Sequence, residues 1–209
     1  MLTKSVVVFS GSKAGHDPEF MQHAKELGYL LAEEKILLVY GGGSLGLMGA
    51  VSNAAKERGG EIKAIIPKKI VELVGRNFNS EIPIEVVDDI HTRKQRMYEA
   101  ADAAIALPGG FGTLDEMFEF AAWCQLGLHA KPKPLCALNT AGFFNPIKIL
   151  MMDMVRQGLM DYRTRDLLQF ATSPQHTLER IERAIRIQNA LAFATAKAAA
   201  TTTKVAAAR

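Results

Sequence analysis

Seven short runs rich in Val, Ile, Leu and Ala recur along the chain, at residues 5–9, 36–40, 62–66, 84–87, 103–107, 135–138 and 167–170. Several lack the apolar and polar alternation of a half-exposed strand, so they read as parallel strands covered on both faces. Helical stretches separate them. The first is marked by Asp17 as an N-cap with Pro18 at the first helical position, followed by Phe20, Met21, Ala24, Leu27, Leu30 and Leu31 at helical spacing. Further helices are expected at about 47–58, 91–101, 113–127, 145–157 and 175–190. Strand, helix and strand in repetition require right-handed crossovers, which places the chain in the α/β class. The expected architecture is a single-domain, Rossmann-like, doubly wound sheet of about seven mostly parallel strands with helices on both faces.

Ligands of such sheets sit at the carboxyl ends of the strands. That rule selects the loops at residues 10–15, 41–49 and 108–113, and all three are rich in glycine. At 209 residues the chain has the length of one domain, and its 48% hydrophobic and 22% charged residues are the balance of a self-sufficient globular core. The expected division is an α/β domain at 1–190 and an Ala/Thr-rich tail of low complexity at 191–209, where alanine favours helix and the Thr run opposes it.

A formal net charge of +3, with Lys and Arg scattered, argues against a nucleic-acid polymer as partner and leaves acidic small molecules open. Cys124 and Cys136 form no CxxC pair and no zinc-like spacing with histidine, so they read as buried free thiols and no metal is expected. The apolar run at the start is too short for a signal segment. No stretch approaches the ~18 apolar residues of a membrane span. A reducing, cytoplasmic setting without membrane attachment is the expectation.

The segment LPGGFGTLDEMFE, from Leu107, ends a strand, turns on glycines and opens a helix near Thr113. Orphan N–H groups at a helix N-terminus and a backbone that a ligand can approach closely suit a phosphate. Thr113 to Glu116 also spell a capping box, in which Thr113 caps the helix and Glu116, at its third position, reaches back. Spacing alone does not decide between cap and catalyst for Glu116. Three glycines within four residues, Gly109, Gly110 and Gly112, exceed what one tight turn needs. In the loop from Gly41, the residues Gly41, Gly43 and Gly46 match a bare G-x-G-x-x-G, yet the next strand ends Ile65-Ile66-Pro67 without the acid that a dinucleotide ribose requires. Close packing of helix on sheet is the other reading of that loop. The cluster His91-Thr92-Arg93-Lys94-Gln95-Arg96-Met97 reads either as a solvated helical face or, because it begins at the carboxyl end of the fourth strand, as part of the ligand side.

Arg93 to Met97 (RKxxM), Pro108 to Glu116 (PGGxGTxxE) and Trp123 to Gly127 (WxQLG), with the earlier loops SGSKAG and VYGGGSLGLMG, together resemble the LOG family, the cytokinin riboside 5′-monophosphate phosphoribohydrolases. The resemblance runs from about Val6 to Leu159. It implies hydrolysis of the N-glycosidic bond of a nucleoside 5′-monophosphate, AMP or an N6-modified AMP, to free base and ribose 5-phosphate, without a cofactor. Members often carry the label lysine decarboxylase, but no lysine here stands in a setting that suggests a pyridoxal phosphate Schiff base.

Carried over residue by residue, the resemblance implies Arg93 and Glu116 as the catalytic pair. Its substrate-binding positions are Arg93 and Lys94, then Gly109, Gly110, Phe111, Gly112, Thr113, Leu114 and Asp115, with Glu72 as a further binding acid. Near a helix N-terminus, Glu116 is expected to be held ionised. The resemblance also implies a homodimer, for which Phe118, Trp123 and Leu126 are either interface or core. A broad nucleoside monophosphate nucleosidase of salvage and a non-catalytic binder of a nucleotide or phosphorylated cofactor are the alternatives.

Overall fold

A computed structural model describes residues 2–74 and 82–207, with the backbone alone for Val74 and residues 195–207. Seven strands appear: β1 Ser5–Phe9, β2 Leu37–Tyr40, β3 Ile62–Pro67, β4 Ile84–Val87, β5 Ala103–Ala106, β6 Leu135–Leu138 and β7 Leu168–Ala171. They form one sheet in the order β4-β3-β2-β1-β5-β6-β7. Every neighbouring pair is parallel. The expected α/β class and doubly wound sheet are therefore present, and the sheet is wholly parallel.

The helices are α1 Pro18–Glu33, α2 Gly46–Glu57, α3 Lys68–Val74, α4 Ile90–Glu99, α5 Phe111–Leu126, α6 Asn145–Arg156, α7 Tyr162–Arg165 and α8 Pro174–Ala207. Asp17 caps α1 by accepting from the Glu19 amide, as its spacing predicts. Three pieces have no counterpart in the sequence reading: α3, α7 and a 3-10 turn at Thr140–Gly142. Each is too short to show a helical period. α8 continues unbroken to Ala207, so the backbone through most of the alanine-rich segment is helical.

Absence of alternation in the strands has a direct structural meaning. Within β1, Val6 and Val8 face one core while Val7 and Phe9 face the other. α1, α2 and α8 cover the first core through Leu27, Leu31, Val51, Leu178 and Ile181. α4, α5 and α6 cover the second through Met97, Tyr98, Met117, Phe120 and Met151. α1 and α2 cross closely at Gly28, where an added Cβ would strike the Val51 carbonyl oxygen and lie 2.8 Å from the Ala54 Cβ. Buried Glu182 on α8 accepts from the Leu2 and Thr3 amides, which ties the start of the chain to its last helix. Cys136 is buried, Cys124 half-buried, and both are free thiols. Among the described residues no helix is long and apolar enough to cross a membrane.

Candidate active site

The order of winding reverses at β1. Strands β2, β3 and β4 build outward on one side of it, and β5, β6 and β7 on the other. Loops leaving β1 and β5 must therefore diverge, which opens a crevice at their carboxyl ends. Three loops are bound together at its rim. The Gly11 amide donates to the Pro108 carbonyl at 3.0 Å, and the Gly11 carbonyl accepts from the Leu47 and Met48 amides at 3.0 and 3.3 Å. Glycine is required at the contacts: a Cβ on Gly109 would collide with Thr113 Oγ1 and with the Gly11 amide, and a Cβ on Gly46 with the Ser12 backbone. Ser10, at the end of β1, is buried, and its hydroxyl has no hydrogen-bond partner among the described residues.

α5 opens on this crevice. Its N-cap is Gly110, in extended conformation, with no side-chain capping bond. The first N–H groups of the helix therefore lack both an intrahelical acceptor and a cap, and they carry the positive end of the helix dipole. This overturns the capping-box reading. The helix starts at Phe111 rather than Thr113, so Thr113 is its third residue and Glu116 its sixth, a full turn too deep to reach back. Nor do Gly109, Gly110 and Gly112 serve through positive φ; none of them adopts it. An added Cβ on Gly110 or Gly112 would meet no atom within 4 Å, so nothing inside the chain demands glycine at either position.

Glu116 is buried and points to α4, where Arg93 Nη1 lies 3.2 Å from Glu116 Oε1. Arg93 Nε donates to the Ile65 carbonyl at 3.1 Å, and its guanidinium lies against Gly41, where any side chain would displace it. Burial pushes the Glu116 carboxyl above the ordinary carboxylate range, and Arg93 is the largest influence holding it down. The expected dipole-assisted ionisation is thus corrected: in the second turn, desolvation outweighs the helix terminus.

Lys94 is buried with its ammonium 2.9 Å from Glu119 and 3.2 Å from Asp115. Burial works against its charge, but the bonds to Glu119 and Asp115 outweigh that and raise its pKa. The buried Tyr98 hydroxyl donates to Glu119 at 2.8 Å and lies 3.2 Å from the Glu116 carbonyl, so α4 holds α5 at the turn that carries Glu116. No group of three or more His, Cys, Asp or Glu among the described residues is placed to hold a metal ion.

A family profile described as possible lysine decarboxylase matches residues 48–181. Among curated proteins, the chain is 39% identical over 181 residues to a cytokinin riboside 5′-monophosphate phosphoribohydrolase of Arabidopsis thaliana, covering 86% of this chain and 81% of that one. The chain belongs to the LOG family. A second relative, a probable cytokinin riboside 5′-monophosphate phosphoribohydrolase of Oryza sativa subsp. japonica, is 40% identical and covers 86% of this chain and 72% of its own length. Solved structures share the family's fold. The molybdenum cofactor carrier protein of Chlamydomonas reinhardtii superposes with a TM-score of 0.65 at 20% identity, covering 88% of this chain and 98% of that one. The molybdenum cofactor binding protein of Rippkaea orientalis gives 0.62 at 23%, covering 88% and 99%. At these identities the likeness is one of fold.

Of the residues that the family resemblance singles out, the fold brings Arg93 and Glu116 into contact and sets Gly109 to Thr113 at the crevice beside them. Phe111 stands 94% exposed at the head of α5, and Leu114 packs on the core behind it. Lys94 and Asp115 are paired with each other. Glu72 is exposed on α3. Gly11, Gly41 and Tyr98 escaped the sequence reading as individual site residues. Gly11 and Gly41 lay in loops that the strand ends selected, and Tyr98 follows Lys94 by four residues, on the same helical face.

The glycines separate packing from ligand contact. Gly110→Ala and Gly112→Ala are expected to keep wild-type stability in urea unfolding, with Gly112→Ala gaining up to about 0.5–1 kcal/mol inside the helix, while calorimetric binding of AMP weakens. Gly109→Ala is expected to lose stability, because its Cβ has no room. AMP binding as tight as wild type in the 110 and 112 variants would contradict a phosphate seat on this turn.

Proposed function

We propose that the chain hydrolyses the N-glycosidic bond of nucleoside 5′-monophosphates, AMP or N6-modified AMP, giving free base and ribose 5-phosphate. One observation carries this reading: a buried carboxylate paired with an arginine lies one helical turn behind an uncapped helix N-terminus, at the crevice where α/β sheets take ligands. Two relatives named as phosphoribohydrolases, at 39% and 40% identity, support it.

In this reading the 5′-phosphate seats on the free amides at the start of α5, and that remote attachment positions the sugar. Rupture of the bond between C1′ and the base nitrogen leaves the electron pair on the base and positive charge on the ribose. The Glu116 carboxylate stabilises that charge more in the transition state than in the ground state. Water supplies the new oxygen on C1′. Its proton passes to Glu116, whose raised pKa suits it as a base, and the departing base nitrogen takes up a proton, so that one water is consumed per bond cleaved. Arg93 keeps the carboxylate oriented and ionised. Decarboxylation finds less support, since Lys94 is bound to Asp115 and Glu119, and the Lys133 ammonium donates to the Tyr98 and Ala101 carbonyls.

Incubation with AMP and chromatography of the products tests the reading. Wild type is expected to release adenine, adenosine to be a far poorer substrate than AMP, and Glu116→Gln to lose roughly 10²-fold or more in kcat. AMP recovered intact would favour a binding protein, and hydrolysis unchanged in Glu116→Gln would remove that residue from the chemistry. The acid limb of kcat is expected above the ordinary carboxylate range, and to move higher in Arg93→Gln, which lacks the main influence lowering the Glu116 pKa. Because the folded pKa is raised, protonation of Glu116 as pH falls through it adds stability, so this loss of rate is not unfolding at that site.

The reading extends to assembly and setting. We propose a homodimer formed through the outer face of α5, where Phe118 and Leu126 are exposed, and a reducing compartment, which suits the free thiols of Cys124 and Cys136. Trp123 packs against the core instead. Light scattering is expected to give twice the chain mass, falling to one chain in Phe118→Glu with Leu126→Glu; a monomeric wild type would contradict the dimer.

A further inference from the structure

The helices on both faces of the sheet continue past its last strand. α6 lies on one face with Met151 in the second core, and α8 on the other with Ile181 in the first. Between them β7 forms the floor of a cavity of 730 Å³, two strands along the sheet from β5. That volume falls within the range of small-molecule sites, ~300–1,000 Å³. Its walls carry four cations, Lys148, Arg165, Arg180 and Arg183, against two carboxylates, Asp166 and Glu179.

Local partners account for part of this charge only. Arg165 donates to Asp166, Glu179 accepts from the Gln175 side-chain Nε2, and Lys148 lies over the Phe170 ring at 5.7 Å. Arg180 and Arg183 have no ion-pair partner among the described residues. The Arg180 Nε is in addition buried without an acceptor. The Arg180 side chain as a whole is partly exposed to the cavity and keeps the Nη donors for an oxygen ligand. Beside these cations the lining offers apolar surface from Met151, Leu168 and Phe170, with Gln169 and His176 as further polar groups.

We infer that this cavity is a second small-molecule site, for an organic anion whose phosphate or carboxylate engages Arg180 and Arg183 and whose ring or chain lies against Phe170 and Met151. Head group and body both have partners there. The inference is independent of the chemistry at Glu116.

Phenyl phosphate and benzoate are suitable probes. Each is titrated into the full chain while the ¹⁵N–¹H signals of the Arg180 Nε and of the Gln169 and Phe170 amides are followed. A saturable shift at these three groups is expected with at least one probe, and which probe responds identifies the head group as phosphate or carboxylate. Arg180→Gln with Arg183→Gln is expected to weaken that binding roughly tenfold or more, the loss of charge-assisted bonds. The Arg183→Glu variant, at an exposed position and with Arg180 left in place, is expected to weaken it as well and serves if the double variant does not fold. Absence of a saturable shift with both probes at millimolar concentration, or equal affinity in wild type and Arg183→Glu, would overturn the assignment.

Discussion

Winding in opposite directions from β1 leaves the carboxyl ends of β1 and β5 uncovered, and the chemistry proposed at Glu116 depends on how that gap is lined. Close approach lines it. The chain has to bring the loop after β1, the start of α2 and the loop after β5 within hydrogen-bond distance of one another, and Gly46 and Gly109 are the positions where a Cβ would prevent it. Once the rim is drawn together, α5 starts on glycine without a side-chain cap and its amides face the crevice. The Arg93 and Glu116 ion pair follows from the same packing, since α4 and α5 cover one face of the sheet side by side.

Charge within that layer is arranged to keep one carboxylate distinct from its neighbours. Asp115, Glu116 and Glu119 occupy one stretch of α5, yet Lys94 binds Asp115 and Glu119 and leaves Arg93 to Glu116. Glu116 alone of the three is buried. An ion pair removed from water is weak support for stability, because desolvation consumes much of the Coulomb attraction. Its value here lies in the raised proton affinity of a carboxyl that lies behind the crevice, which is a functional property rather than a structural one.

Much of this was legible in the chain. The seven strands stand where apolar runs place them, and β1, β5 and β6, buried along their whole length, have no polar side to show. Glycine-rich loops after the first, second and fifth runs marked the ligand side, since strand order and chain direction place those loops together. Helix starts were less legible where backbone geometry rather than a side chain sets them. Thr113 and Glu116 satisfy a capping pattern on paper, but the fold starts α5 at Phe111, and the proton affinity of Glu116 then follows burial, which sequence spacing does not reveal. The family resemblance implies Lys94 as a ligand contact, while its pairing with Glu119 depends on how α4 and α5 pack. The cavity beyond β7 joins α6, α7, β7 and α8, and no local pattern brings their cations together.

At the centre of the account is the position of one substrate: phosphate at the head of α5 and the anomeric carbon beside Glu116. A crystal structure of Glu116→Gln with AMP measures that position directly. The account predicts the phosphate on the amides between Gly110 and Thr113 and C1′ in contact with the side chain at 116. An AMP with its base at the head of α5, or with C1′ remote from residue 116, would contradict it.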